Sequence, residues 1–241
     1  MALDDKVVLI TGAARRLGRH LALTAARAGA DILLHHSNSP DDAQTAAEAI
    51  AALGRKVWVL QADFRSPHEV ETFASRAFDL AAPFALVHNA SIFEPLGLED
   101  SSLDEWQQHL NINLTAPFLL SREFARRLPP GTNGRMITML DWRALRPGAD
   151  HFPYTITKAA LAAMTRSMAD ALAPRITVNG LALGAILPPA DGSPTDWVDT
   201  EVPARRWATL DELAQAFLFL LDGPAYITGE ILHLDGGRHL R

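Results

Sequence analysis

At 241 residues, with 48% hydrophobic and 21% charged residues, the chain suits one large α/β domain and is too apolar to be disordered. A formal net charge of -6 gives no reason to expect nucleic acid or an anionic membrane surface as partner. The absence of cysteine excludes disulfides, thiol catalysis and cysteine-ligated metals, and no metal site is expected; apolar runs are strand-sized and MALDDK puts two acids before the first, so neither a membrane span nor a secretory signal is visible and a cytoplasmic location fits.

The first unit is KVVLI followed by TGAARRLGRHLALTAARAGA, an apolar run, a glycine turn and a helical pattern ending near Gly29. With a second apolar run, DILLHHS, after it, this predicts a dinucleotide-binding βαβ unit whose turn and helix N-terminus receive a pyrophosphate. The second strand lacks the terminal Asp or Glu that accepts hydrogen bonds from the ribose of NAD, and carries His35, His36, Ser37 and Asn38 instead. Arg15 and Arg16 add two cations near the same place, so the expected cofactor is NADP(H); as plain structure, the arginines would be solvated and the histidines would cap the strand.

A helix over about 41–53 and a strand VWVLQ follow, then Asp63, which either accepts the adenine amino group or caps the helix beginning near Pro67. FALVHNA is the fourth strand and delivers Asn89, Ala90, Ser91 and Phe93 to the C-terminal edge of the sheet, where ligands of open α/β sheets bind. From Ser102, whose SLDE resembles a capping box, a helical pattern runs through Trp106, Leu110, Leu114, Phe118 and Leu119. Asn113 in its middle is either a satisfied core amide or a kink with a functional carbonyl.

RMITML is a buried strand leading to Asp141 and then to the helix that contains Tyr154 and Lys158. Four residues apart, the two side chains share a helix face. A nearby cation lowers the cost of ionising a phenol, and a loop could fold the Asp141 carboxylate back onto it. The plain alternative is that Tyr154 packs and Lys158 is solvated. The chain closes with the strand RITVNGLAL, a Pro- and Gly-rich stretch over 184–203 expected to be an irregular substrate loop, a helix over 210–221 and the strand EILHLD. Strict alternation predicts a single Rossmann-type doubly wound domain over 1–241 with a seven-stranded parallel sheet.

In combination, TGAARRLG, HNA, NINL and YTITK resemble the short-chain dehydrogenase/reductase family, and VNGLALGAILPP and ITGEILHLDGG extend the likeness over nearly the whole chain. Two departures from its general pattern are shared by pteridine reductases: Arg16 replaces the middle glycine of TGxxxGxG, and Asp141 replaces the catalytic serine. Phe93, shortly after the NAS turn, is a third likeness to those enzymes, whereas Leu183 departs from the family's usual proline before Gly184.

The resemblance implies Tyr154 as proton donor, Lys158 as holder of the nicotinamide ribose, Asp141 as partner of Tyr154, and Asn113 as relay. It implies a cofactor surface of Gly12, Arg15, Arg16, Leu17, Gly18, His35, His36, Ser37, Asn38, Ala62, Asp63, Asn89, Ala90, Ser91, Tyr154, Lys158, Gly184 and Ile186. Phe93 would stack on the pterin, with Arg16, Ser91, Asp141, Tyr154 and Leu187 completing the substrate site, and the assembly would be a homotetramer. The implied activity is NADPH-dependent reduction of a dihydropteridine such as dihydrobiopterin, dihydromonapterin or dihydrofolate. An NADPH-dependent carbonyl reductase acting on ketones or oxoacyl thioesters, and a non-catalytic NADP(H) sensor, are the alternatives. An ionised carboxylate would repel the oxyanion of a ketone substrate, but a dihydropterin has none, which favours the pterin.

Overall fold

A computed structural model of the protein describes residues 3–188, 195 and 197–240. Seven strands form one parallel sheet in the order β3-β2-β1-β4-β5-β6-β7: β1 (Val7–Ile10), β2 (Asp31–His36), β3 (Val57–Gln61), β4 (Ala85–His88), β5 (Gly134–Asp141), β6 (Ile176–Leu183) and β7 (Ile231–Leu234). The order reverses between β1 and β4, and the strands end on one edge. The glycine turn, the Asn89–Ser91 segment, Asp141 and Gly184 therefore meet at the switch point, where such sheets bind ligands.

Alternate residues of each strand feed opposite layers. Val8, Ile10, Ile32, Leu34 and Val87 face α1 (Arg16–Arg27), α2 (Pro40–Ala51) and α8 (Leu210–Asp222). Leu9, Leu33, Leu86 and Met136 face α3 (Pro67–Leu80), α5 (Ala116–Arg127) and α6 (Phe152–Leu172). Burial on both faces is what makes these strands read as continuous apolar runs. At about 25 cal/mol per Å² of apolar surface, a fully buried Leu or Ile contributes roughly 1.5–3 kcal/mol, so the two layers fix the sheet and hence its edge.

The long pattern from Ser102 is not one helix. It divides into α4 (Leu103–Leu110), opened by a complete Ser102–Glu105 capping box, a π-helical turn over Asn111–Thr115, and α5. The cause is in the sequence: Pro117 has no N–H to donate to the carbonyl of Asn113 in the α pattern, and a proline inside a helix displaces the chain there. Asn113 is thus both a buried amide and part of a distorted helical backbone.

The 184–203 stretch also departs from expectation. Residues 189–194 and 196 lie outside the described residues, but α7 (Val198–Glu201) is a short regular helix whose Val198 packs with Ala185, Val202, Trp197 and Trp207. The Pro and Gly count concealed it because a four-residue helix is too short to show a helical period.

Candidate active site

The glycine turn is held from behind. Gly12 has φ of +64°, and a Cβ at Gly18 would stand 2.0 Å from the Gly12 carbonyl oxygen, so α1 approaches the turn as closely as only glycine allows. Asn89 Nδ2 donates to the carbonyls of Thr11 (2.9 Å) and Gly12 (3.1 Å), and Thr11 Oγ1 accepts from the N–H groups of Asn89 and Ala90. Arg15, the N-cap residue of α1, makes no side-chain cap, so no side chain of that residue competes for the first-turn N–H groups. A helix start without a side-chain cap, a backbone cradle that excludes a Cβ and a second strand without a terminal acid fit a dinucleotide phosphate.

Several residues expected around the cofactor have other partners. His35 does not reach the cleft: its ring is buried, stacks on Phe64 at 3.9 Å, accepts the Gly12 N–H on Nδ1 (3.0 Å) and bonds the Ala62 carbonyl through Nε2 (3.1 Å). Burial lowers its pKa to about 4, so the ring is neutral with its proton on Nε2. His36 is also buried, while Ser37 and Asn38 are exposed beyond it. The arginines divide: Arg15 lies 3.8 Å from Asp42, and Arg16, in the left-handed region at φ +49°, donates to the Pro188 carbonyl (2.7 Å) across the mouth of the cleft. Asp63 caps no helix. Ser66 caps α3, and Asp63 is gripped by the Arg65 guanidinium and N–H, which hold its pKa below the usual range. Leu17, Ile186 and Leu187 pack on the α1 core layer, and Gly184 closes on Asp235, where a Cβ would stand 2.7 Å from the backbone.

On the other side of the cleft, Tyr154 Oη donates to Asp141 Oδ2 at 3.2 Å. The phenol is 7% exposed; burial, and then the Asp141 charge, raise its pKa well above 10. Lys158 is buried one turn on, its Nζ 5.6 Å from the Tyr154 ring centroid and donating to the Met139 carbonyl (2.8 Å). Burial lowers its pKa to about 8, with Asp141 opposing. Asn113 Oδ1 accepts from Ser91 Oγ (3.1 Å) and the Ile92 N–H (3.0 Å), while Nδ2 donates to the Ile92 carbonyl and to Thr157 Oγ1 (both 3.1 Å). The amide is therefore fully engaged in clamping the β4 loop to α6.

Phe93, half exposed, meets Tyr154 edge-to-face at 4.6 Å and stacks on His151 at 3.8 Å. Two residues that the sequence reading missed are therefore in the site: His151, covering one side of Phe93, and Arg143, whose guanidinium lies between Asp141, Asp150 and the Phe93 ring. Neither has a periodicity or spacing to mark it, although an arginine two residues past a candidate catalytic carboxylate was a readable hint.

A doubly wound parallel sheet with a glycine-turn cradle on one side of the switch point and a Tyr–Lys–Asp group on the other defines a dinucleotide-dependent oxidoreductase. The chain belongs to the short-chain dehydrogenase/reductase family: residues 12–239 match the family model described as enoyl-(acyl carrier protein) reductase. FolM alternative dihydrofolate reductase 1 from Brucella canis, solved in complex with NADP, is 31% identical and superposes over 100% of this chain and 97% of that one with a TM-score of 0.91. A short-chain dehydrogenase from Burkholderia cenocepacia J2315, also with NADP, is 33% identical over 99% of both chains with a TM-score of 0.92. The 3-oxoacyl-(acyl-carrier-protein) reductase FabG of Escherichia coli is 31% identical over 250 residues and 100% of both chains. Among the described residues no helix is long and apolar enough to cross a membrane, and no group of His, Asp and Glu is placed to hold a metal.

Proposed function

We propose that the protein is an NADPH-dependent reductase of dihydropteridines, such as dihydrobiopterin, dihydromonapterin or dihydrofolate. One observation carries the reading: a carboxylate, Asp141, accepts the Tyr154 hydroxyl at 3.2 Å in the place where a carbonyl reductase needs a hydroxyl donor. An anion there opposes a developing oxyanion, whereas it suits a heterocycle that presents N–H donors and gains a proton on nitrogen. The Phe93 ring beside Tyr154 offers a flat apolar wall, and the NADP-bound dihydrofolate reductase relative lends independent support.

The bound cofactor would supply a hydride for a ring carbon of the substrate. Tyr154 gives its proton to the adjacent ring nitrogen while Asp141 holds the phenol oriented through Oδ2. Lys158, fixed beside the phenol and buried, offsets the charge left on it, and is the residue that would hold the nicotinamide ribose. Asn113 anchors Ser91 and Ile92 opposite α6 and presents its carbonyl for proton resupply. The turn around Gly12, the N-terminus of α1 and the backbone at Gly184 and Ile186 would hold the dinucleotide, and the exposed Ser37 and Asn38 would be available to its 2′-phosphate.

A second reading, reduction of a ketone or oxoacyl thioester, draws on the family description and the FabG relative. NADPH oxidation against a panel of dihydropterins, dihydrofolate and oxoacyl thioesters distinguishes the two. Turnover of a dihydropterin that Asp141→Ser abolishes supports the pteridine reading; a well-folded Asp141→Ser protein with wild-type dihydropterin turnover would overturn it. Assembly as a homotetramer is proposed on the exposed Leu103, Phe118 and Phe219 of α4, α5 and α8, and a monomeric mass by light scattering would exclude it.

A further inference from the structure

The catalytic carboxylate poses an electrostatic difficulty. Asp141 orients the Tyr154 hydroxyl, yet its charge opposes the phenolate that forms when Tyr154 gives up its proton. Lys158 is nearby, but its Nζ is occupied by Met139 and it also serves the cofactor side of the site. A second cation lies on the far side of the carboxylate. Asp141 Oδ1 accepts the Arg143 backbone N–H at 2.8 Å, and Nη1 of the same residue stands 3.4 Å from that oxygen, which leaves Oδ2 for the phenol.

The guanidinium is itself fixed. Nε donates to Asp150 Oδ2 at 3.1 Å, the group lies 4.8 Å from the Trp142 ring centroid and 5.8 Å from that of Phe93, and the side chain is only 11% exposed. Trp142 in turn is covered by Arg238 at 4.4 Å, whose own partner is Glu201 on α7. A planar, permanently charged group bridging two carboxylates is a rigid support, and at 11% exposure it is little screened.

We propose that Arg143 is a positioning residue for the acid–base pair, holding Asp141 by one carboxylate oxygen, turning the other to the Tyr154 phenol and offsetting the carboxylate charge as the phenol releases its proton. The step needs no further reactant: the O–H bond of Tyr154 breaks, the proton goes to the substrate, and the phenolate is flanked by Lys158 and by the Arg143–Asp141 pair. The inference rests on Tyr154 as the proton donor and is indifferent to whether the substrate is a pterin or a ketone. The charged and titratable groups around Arg143 are Asp141 and Tyr154 on the catalytic side, Asp150 and His151 at the start of α6, Lys158 behind the phenol, and Arg238 with Glu201 beyond Trp142.

The test compares R143Q, R143K and Y154F holoenzymes on the best substrate of the panel. R143Q is expected to lower kcat about tenfold or more with NADPH affinity and melting temperature nearly unchanged, R143K, which keeps the charge without the planar fork, to recover part of the loss, and the alkaline limb of the kcat profile to move to higher pH in R143Q, because removing a cation disfavours the phenolate. R143M, which keeps the packing on Trp142, takes the place of R143Q should that variant not fold. Tyr154 and the fully exposed Tyr226 are the only tyrosines, so in a Y226F background the tyrosinate absorbance of the NADP+ complex reports Tyr154 directly and should appear at higher pH when Arg143 is removed. Wild-type kcat in a folded R143Q protein, equal losses in R143Q and R143K, or an unmoved tyrosinate titration would each overturn the proposal. A Y154F protein that still turns over at the wild-type rate would instead overturn the proton-donor reading itself.

Discussion

The two halves of the cleft are built from different interactions. The glycine turn is held by neutral hydrogen bonds from His35, Asn89 and Thr11 to backbone atoms of residues 11–13 and 89–90. The catalytic side is held by charges: Asp141, Arg143, Asp150 and Lys158 around one phenol. A backbone cradle must not move when the cofactor enters, and neutral bonds in the interior give that rigidity with no charge to desolvate. Proton transfer requires a group whose ionisation can be biased, and nearby charges bias it together with burial and hydrogen bonding. Substitutions on the first side should therefore alter cofactor affinity, and those on the second the rate.

The largest effect is expected from Gly18→Ala. The added Cβ would stand 2.0 Å from the Gly12 carbonyl oxygen and 2.6 Å from Asn89 Nδ2, so turn and helix must separate. Titration by cofactor fluorescence should show NADPH binding weakened by about 10²-fold or more, equivalent to roughly 2.7 kcal/mol. Normal binding would mean that the cradle is not the phosphate site. Asp141→Asn comes next: kcat on a dihydropterin should fall about 10²-fold while NADPH affinity barely changes, and a variant that only lost stability would keep its rate per folded molecule.

His35 sharpens the contrast because it supports the cofactor turn without touching the cleft. His35→Phe leaves the Gly12 N–H without its acceptor, which costs about 1–3 kcal/mol and should raise the KM for NADPH with little change in kcat; His35→Gln can keep an acceptor and should restore part of it. Acid stability gives a second readout. The folded pKa of about 4 lies below the usual 6.5, so the unfolded chain binds the extra proton first: the contribution is complete above pH 6.5 and is lost as pH falls towards 4. The buried His88, lowered to about 3 by burial, acts in the same sense over a wider range. His35→Gln should therefore flatten the fall in apoprotein melting temperature over this window, and an unchanged slope would show that the ring is not buried neutral.

The smallest effects are expected on the aromatic wall, from Phe93→Ala and then His151→Ala. An aromatic contact is worth roughly 0.5–1.5 kcal/mol beyond its area, so the KM for a dihydropterin should rise up to about tenfold while NADPH affinity holds. With His151 stacked on one side of the ring, His151→Ala should give a smaller shift in the same direction. A loss of folding stability with normal pterin kinetics would assign Phe93 to packing.

Much of this was legible in the chain. Apolar runs alternating with helical patterns determined a doubly wound parallel sheet, the TGAARRLG turn determined a glycine-built cradle before α1, and the four-residue spacing of Tyr154 and Lys158 determined that they share a helix face. Local periodicity and φ requirements act within a few residues, so sequence carries them. The tertiary structure decided what depends on partners distant in the chain. It turned His35 inward to Gly12 and Ala62, sent Arg16 to Pro188, and brought His151 against Phe93. It also set Arg143 between two carboxylates, one of them on the phenol. The physical reason is that a side chain's charge state and hydrogen-bond partner follow from burial and from neighbours that the packed sheet and helices bring together, and sequence spacing does not encode those distances.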